Sequence, residues 1–435
     1  MSIRQSAVIP LLLQIIFVFS IAGCRNNVAQ NNAFDWPQRR GPENNGISRE
    51  TNWNPRSLDG GPRVLWTMNV GSGYSDVAVK NGRVYTAGMV KGALVVWCLR
   101  EDSGRVIWKN RVKDVIESQS TPTVGATSVY VLSKGGVLLC LNARNGRLQW
   151  RKDIVSAYGV VPPIHGFAGS PVLEGKLVIL NANTAGMALD QETGALVWTS
   201  EKPPAKVLSF FVEPSSGTDY STPVIYEEEG NRFGLFTSCK GLSSVEVETG
   251  KRNWLHVWDL YHGFQVPDPV VVGDKVFIAA DFTSDGYRAC TLLQILDGKP
   301  VAQWKSLELC SDISSPVIVD GFIYGCNGGP NYNTAYLRCL DLETGRLKWE
   351  EHLSSRSGKD SISFIAADGK LIILNEKGIL SIAEANPAMY QEISRGDVLL
   401  GKKMIRKFWM PPVLSGGRIY CRNLPGELIC IDVRR

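Results

Sequence analysis

Seven tryptophans punctuate this chain at positions 66, 108, 150, 198, 254, 304 and 349, spaced by 42, 42, 48, 56, 50 and 45 residues. One pattern leads into five of them: CLREDSGRVIW (98–108), CLNARNGRLQW (140–150), ALDQETGALVW (188–198), SVEVETGKRNW (244–254) and CLDLETGRLKW (339–349). QILDGKPVAQW (294–304) is a degenerate copy. A recurring unit constrains the fold more than local propensity does, because each unit must bury its apolar face against its neighbours. The glycine four residues ahead of the indole (Gly104, Gly146, Gly194, Gly250, Gly345) stands where a tight turn needs positive φ. It joins two short strands of alternating apolar residues.

Upstream of each such pair lies another. Its first strand carries Pro-Val or a close variant: TPTV (121–124), SPVL (170–173), TPVI (222–225), DPVV (268–271), SPVI (315–318) and PPVL (411–414). Ser75–Val79 and Ser361–Ala366 hold the equivalent places without proline. The second strand follows a Gly or Asp-Gly turn, as in KVFIA (275–279) and KLIIL (370–374). Four short antiparallel strands in about 45 residues make a propeller blade. Eight first strands predict an all-β, single eight-bladed propeller over 63–435. The last blade stops after its third strand, ELICIDVRR (427–435), and RVLWTMNV (63–70) supplies its fourth. Closure by the N-terminal strand removes the sheet edges that a linear array leaves exposed. Each indole buries roughly 150–250 Å² between neighbouring blades. Blade seven departs from the pattern: Tyr390 stands about where the tryptophan belongs, and a longer excursion leads to Trp409.

Composition agrees with this reading. The chain has 435 residues, is 44% hydrophobic and 20% charged, and contains 43 Gly and 22 Pro, which excludes wholesale disorder and coiled coil. The formal charge of +5 is spread out, without the dense basic stripe of a nucleic-acid binder. The longest basic cluster, Lys402, Lys403, Arg406 and Lys407, reads as a solvated face, with an anion or partner contact as the alternative. Cys98, Cys140, Cys339 and Cys430 fall at one phase of the repeat, so they lie apart around the fold and read as small buried residues. No CxxC, CxxCH or adjacent cysteine pair occurs, and the four histidines (165, 256, 262, 352) lack metal-ligand spacing.

Residues 1–23 carry one charge, Arg4, and an apolar run from Val8 to Ala22, which fits a signal-peptide h-region. The run ends in Ile21-Ala22-Gly23-Cys24, which resembles the bacterial lipoprotein box. That resemblance implies cleavage before Cys24, lipidation of this residue, and stable anchoring by several chains. Residues 24–62 follow as a lipidated cysteine and an extended tether. Arg25, where Asp favours inner-membrane retention, leans the assignment toward the outer membrane.

The pattern AxDxxTGxxxW, complete in Ala188, Asp190, Thr193, Gly194 and Trp198, resembles the tryptophan-docking repeat of pyrroloquinoline quinone (PQQ) dehydrogenases and the propeller family named after them. DWPQRRGPENNGIS (35–48) and WMPPVLSGGRIYCRNLPGELICID (409–432) resemble a planctomycete-type branch of PQQ-like repeat lipoproteins. The first is similar to a W-P-x-F-R-G-P opening, with Arg39 in place of the usual aromatic. The chain also resembles the propeller lipoproteins of the outer-membrane β-barrel assembly machinery. One fold hosts many functions, so two readings follow. The first is a non-catalytic, lipid-anchored, monomeric platform for another envelope protein, without catalytic or metal-ligating residues. The second is a PQQ-dependent dehydrogenase with Ca²⁺. The resemblance implies for the latter a stacking disulfide of adjacent cysteines and a Glu, Asn and Asp ligand set. Neither is recognisable here.

Connections from one tryptophan strand to the next Pro-Val strand vary most in length, and long loops on a rigid scaffold carry function. AYGVVPPIHGF (157–167), VLSFFVEPSSGTDY (207–220) and VWDLYHGFQVPD (257–268) place Tyr158, His165, Phe210, Phe211, Tyr261, His262 and Phe264 on one face. These form an aromatic patch for a partner, or pack on each other over the channel mouth. Asp76, Gln119, Asp219, Asp268, Asp312 and Asp360 precede the innermost strands. They either make an acidic mouth for a cation, a basic group or a sugar, or serve as turn formers.

Overall fold

Apolar alternation and turn chemistry produce the four-stranded unit. In blade 1 the strands Ala78–Lys80, Arg83–Val90, Ala93–Arg100 and Val106–Val112 pair in sequence order, each antiparallel to the last. This computed structural model describes residues 34–115, 117–163, 165–182, 184–200, 220–238, 241–258, 266–280, 289–329, 334–353, 361–402 and 405–435. Blades 2 to 7 repeat the unit over 123–153, 172–199, 224–257, 270–306, 317–352 and 362–397. Blade 8 takes three strands from 413–432, and its outermost is Val64–Asn69. That strand pairs with Glu427–Asp432 and sets Trp66 opposite Cys430. The chain is an eight-bladed propeller sealed by its own N-terminal strand.

Neighbouring blades are joined by the indoles. Trp66 Nε1 donates to Glu101 O at 2.9 Å, Trp108 to Ala143 O at 3.0 Å, Trp150 to Gln191 O at 2.9 Å, Trp198 to Val247 O at 2.8 Å and Trp304 to Leu342 O at 2.9 Å. Each acceptor follows the third strand of the next blade. The turn glycine there is required twice over. Gly146 has φ +72°, and a Cβ on it would fall 2.5 Å from the Trp108 ring. Gly104, Gly194, Gly250 and Gly345 stand in the same way against Trp66, Trp150, Trp198 and Trp304, at 2.6–2.7 Å. Blade 5 breaks the series. Its third and fourth strands turn on Asp297 and Gly298 alone, with Leu296 facing Lys299. Trp254 Nε1 then has no hydrogen-bond partner among the described residues.

In blade 7 the structure differs from the sequence expectation. Trp349 faces Cys339, and in the same register Ser394 faces Ile382. Ser394 therefore holds the tryptophan position, and Tyr390 instead packs edge-on against Trp349, with ring centroids 6.1 Å apart. The missing indole is supplied from outside the repeat. Trp53 is 1% exposed and packs in one cluster with Trp66, Ile382, Ile431 and Val433. Asn54 N donates to Val433 O at 2.6 Å, the carbonyl that an indole takes in other blades. Ser394 Oγ donates to Pro55 O at 2.6 Å.

The segment expected as a tether is thus a built part of the molecule from residue 34 onward. Trp36, Trp53 and Leu58 are fully buried, and Ile47–Ser48 adds a fifth, parallel strand inside blade 7. The eight described cysteines, including Cys98, Cys140, Cys339 and Cys430, are all buried. Trp53→Ala should lower the unfolding free energy by about 3–5 kcal/mol, while Ser394→Ala should cost about 1 kcal/mol. Denaturant midpoints measure both. A Trp53→Ala midpoint equal to the wild type would show that the junction of blades 7 and 8 does not depend on this ring.

Candidate functional site

The inner strands start with a residue that can accept a hydrogen bond, and the structure shows why. Thr121 N donates to Ser170 Oγ at 2.9 Å, and Ser170 N to Thr222 Oγ1 at 3.1 Å. Thr222 N donates to Asp268 Oδ1 at 2.7 Å, and Asp268 N to Ser315 Oγ at 2.9 Å. Each backbone N–H is buried by the neighbouring blade and needs an acceptor there. A belt of hydrogen bonds consequently runs around the channel from blade 2 to blade 6.

Further along the axis, residues 34–48 cross the channel and touch seven of the eight blades. Trp36 exchanges two backbone bonds with Val79 in blade 1, and Pro37 O accepts from Val124 N in blade 2. Asn44 Nδ2 donates to Pro223 O in blade 4 at 2.8 Å, and Arg40 Nη2 to Pro316 O in blade 6 at 2.6 Å. Gly46 O accepts from Ala366 N in blade 7. In blade 8, Phe34 O accepts from Ser415 Oγ at 2.9 Å. Blade 5 is held by charge: Arg39 Nε lies 3.0 Å from Asp268 Oδ2, and Arg40 Nε lies 4.0 Å from the same oxygen. Burial draws the Arg40 guanidinium down to about 10, still cationic near neutrality.

This plug is the floor of a cavity of about 770 Å³, within the usual range of ligand pockets. Its walls are the connections between blades. Tyr74 and Trp409, ring centroids 5.9 Å apart, form the side where blades 8 and 1 meet. His165 and Tyr220, 6.0 Å apart, stand between blades 3 and 4. Glu117, Gln119 and Lys134 belong to the blade 2 side, and Asp312, Ser314 and Ser315 to blade 6.

The candidate residues are distributed as follows. His165, Gln119 and Asp312 line the cavity. Asp268 stands at its base with a fully buried side chain, both oxygens engaged by the belt and by Arg39. The acid expected to greet a ligand at this position therefore already holds the chain's own arginine. Tyr158 ends the short helix Ile154–Tyr158 and leans on Gly194 O at 3.5 Å, away from the cavity lining. Cys24, Phe210, Phe211, Asp219, Tyr261, His262, Phe264 and Asp360 lie outside the described residues. Arg39, Tyr74 and Trp409 line the cavity without having been singled out as site residues.

Asp76 is buried in blade 1, where its Oδ1 accepts from Val77 N at 2.8 Å. Nearby Arg422 turns its Nη1 and Nη2 elsewhere, to Ser75 O, Thr86 Oγ1 and Gly71 O, while its buried Nε has no partner among the described residues. Burial outweighs these neighbours and pushes the Asp76 carboxyl up to about 7.

The family of outer membrane protein assembly factor BamB matches residues 56–281 and 260–435. The chain belongs to the BamB family. BamB of Yersinia pestis is 21% identical over 360 residues, which cover 76% of this chain and 74% of that one. The crystal structure of BamB from Moraxella catarrhalis has a TM-score of 0.59 at 15% identity, covering 85% of this chain and 97% of that one. The quinohemoprotein alcohol dehydrogenase of Comamonas testosteroni has a TM-score of 0.65 at 12% identity, covering 92% and 80%. At these identities the solved structures share the fold alone.

The dehydrogenase likeness makes PQQ with Ca²⁺ the cofactor to test against this cavity. Calcium takes six to eight oxygens. Among the described residues no three His, Cys, Asp or Glu come together as a metal cage. Among the described lining residues the carboxylates are Glu117 and Asp312, which stand on blades 2 and 6, opposite each other in an eight-membered ring. The described residues do not fit that group.

Asp76 gives the fold a pH dependence with a definite sign. Its carboxyl keeps a proton to about 7 in the folded chain, against 3.8 as its ordinary value. The folded state therefore binds more protons between these values, and stability falls as pH rises from about 4 to about 7. Asp76→Asn should flatten that slope in unfolding experiments across this window. An unchanged slope would place the titration elsewhere.

Proposed function

We propose that this propeller is a non-catalytic, lipid-anchored platform for another envelope protein, working on the periplasmic side of the outer membrane. Membership of a family described as an outer membrane assembly factor carries this reading. The plug supports it: the chain's own residues 34–48 occupy one end of the channel, and the connections between blades are left to meet a partner. Exposed loops on a rigid ring suit recognition, because the scaffold loses little conformational freedom on binding. In this reading Cys24 carries the lipid, and the loops with Tyr158, Phe210, Phe211, Tyr261, His262 and Phe264 supply the partner contacts.

Three measurements test it. Cys24→Ser should move the chain from the membrane to the soluble fraction of cells; retention in the membrane would overturn the anchor. Affinity purification of the wild type from cross-linked membranes should recover one envelope protein in stoichiometric amount. The Phe210→Ala/Phe211→Ala variant should recover it at least about tenfold less well. Equal recovery would remove these two rings from the interface, and the lack of any specific envelope partner would overturn the platform. Purified chain given PQQ, Ca²⁺, alcohols or sugars and a dye acceptor should show no turnover. Dye reduction would favour the dehydrogenase reading instead.

A further inference from the structure

The cavity floor carries one feature that a sealed ring does not need. Arg39 is held by its Nε on Asp268, and its side chain is 19% exposed although it lies at the bottom of the channel. Nη1 and Nη2 have no hydrogen-bond partner among the described residues, and neither is shut away from solvent. A guanidinium presents two flat, two-pronged edges to carboxylates. One prong, Nε, is fixed on Asp268, so the orientation of the plane is set and the Nη1–Nη2 edge is left over. A second buried guanidinium, Arg40, lies behind it. Arg39 and Arg40 face Asp268, an excess of a single positive charge within this trio; the nearby buried Asp76 is kept protonated up to about 7, so below that pH it does not cancel the excess.

The walls limit what that edge can receive. Glu117 and Asp312 face the cavity from opposite sides, against Lys134. A multiply charged anion would meet these carboxylates, whereas one carboxylate matches the excess on the floor. Aromatic surfaces stand on the other two sides, Tyr74 with Trp409 and His165 with Tyr220. Trp409 also has an indole N–H without a partner. Rings of this kind bury flat apolar groups and offer a polar handle at one end.

We propose that the cavity binds a small organic acid with a planar apolar body. Its carboxylate sits on the Nη1–Nη2 edge of Arg39, and its flat body lies against Tyr74 and Trp409. This goes beyond the platform reading and stands or falls separately from it, since it concerns a free small molecule in the cavity and no partner protein.

Calorimetric titration of the purified full chain tests it with two matched pairs of probes: indole-3-acetate against indole-3-acetamide, and benzoate against benzamide. The acid of at least one pair should bind, and more tightly than its amide by at least about tenfold. Inorganic phosphate should not compete. Trp409→Leu should weaken acid and amide by the same factor, leaving their ratio unchanged. Arg39→Gln should abolish the preference for the acid. Because that variant removes the nearer of the two cations at Asp268 and leaves only Arg40 at 4.0 Å, Arg39→Lys is the companion. It keeps a charge over Asp268 and loses the fork, so the preference should fall without disappearing. No heat from either acid up to about 10 mM, equal affinity for acid and amide in the wild type, or an undiminished preference in both Arg39 variants would each overturn the proposal.

Discussion

All the boundaries of this ring but the one between blades 4 and 5 are made by an indole N–H, or a group standing in for one, reaching the carbonyl that ends the neighbour's third strand. The bond itself contributes about 1 kcal/mol. Its larger effect is geometric, because it places the flat ring on a turn glycine and leaves room for nothing bigger. Gly146 under Trp108 is the tightest case, with 2.5 Å to a would-be Cβ. The rest of the architecture follows from having eight such boundaries to satisfy with a repeat that supplies fewer complete sets. Blade 5 turns too sharply to offer Trp254 a carbonyl. Blade 7 has Ser394 in place of the ring. The second defect falls where the segment around residue 53 meets the last strand, and there Trp53 and Asn54 fill the place.

The fold was legible because its signal is periodic. Seven indoles, five turn glycines and six Pro-Val strands share one period, the inner strands with and without proline count to eight, and RVLWTMNV fits the fourth strand missing from the last blade. The misreadings occur where the period breaks. Tyr390 was expected in the tryptophan position because it lies near the usual distance after its third strand. The turn into the fourth strand of blade 7 is longer than elsewhere, so the register runs on to Ser394. The segment 35–48 is polar and without period, and by composition it is a tether. Its partners are main-chain carbonyls such as Pro316 O, 276 residues away from Arg40. Nothing in the sequence around Arg40 marks such a partner.

The aspartates at the channel show how a repeat can mislead about chemistry. Asp268 drew attention as an acid at a mouth, a fair reading of one residue in isolation. Aligned on the inner strands it belongs to the series Thr121, Ser170, Thr222, Asp268, Ser315, whose common property is the ability to accept a hydrogen bond. That alignment was available from the sequence and would have given Asp268 its structural role. It would not have located Arg39 above it, since the plug carries no repeat to align.

Two aspartates occupy equivalent places at the start of inner strands, Asp76 in blade 1 and Asp268 in blade 5, and the contrast between them explains the plug. A hydroxyl at this position serves the belt as well as a carboxylate does, as Ser170 and Thr222 show. A carboxylate adds a second oxygen and a charge, and a buried charge without a cation is costly. Asp76 makes no ion pair among the described residues: Arg422 directs Nη1 and Nη2 to Ser75, Thr86 and Gly71, and burial pushes the Asp76 carboxyl up to about 7. Asp268 gives Oδ1 to the belt and Oδ2 to Arg39. Arginine at position 39 and aspartate rather than serine at position 268 are therefore two halves of one arrangement. An aromatic residue over Asp268 would leave the buried carboxylate only the more distant Arg40, and Arg39 over a serine would lack the ion pair that fixes its plane. The pairing closes the channel floor and, in doing so, aims the unused edge of a guanidinium at the cavity above it.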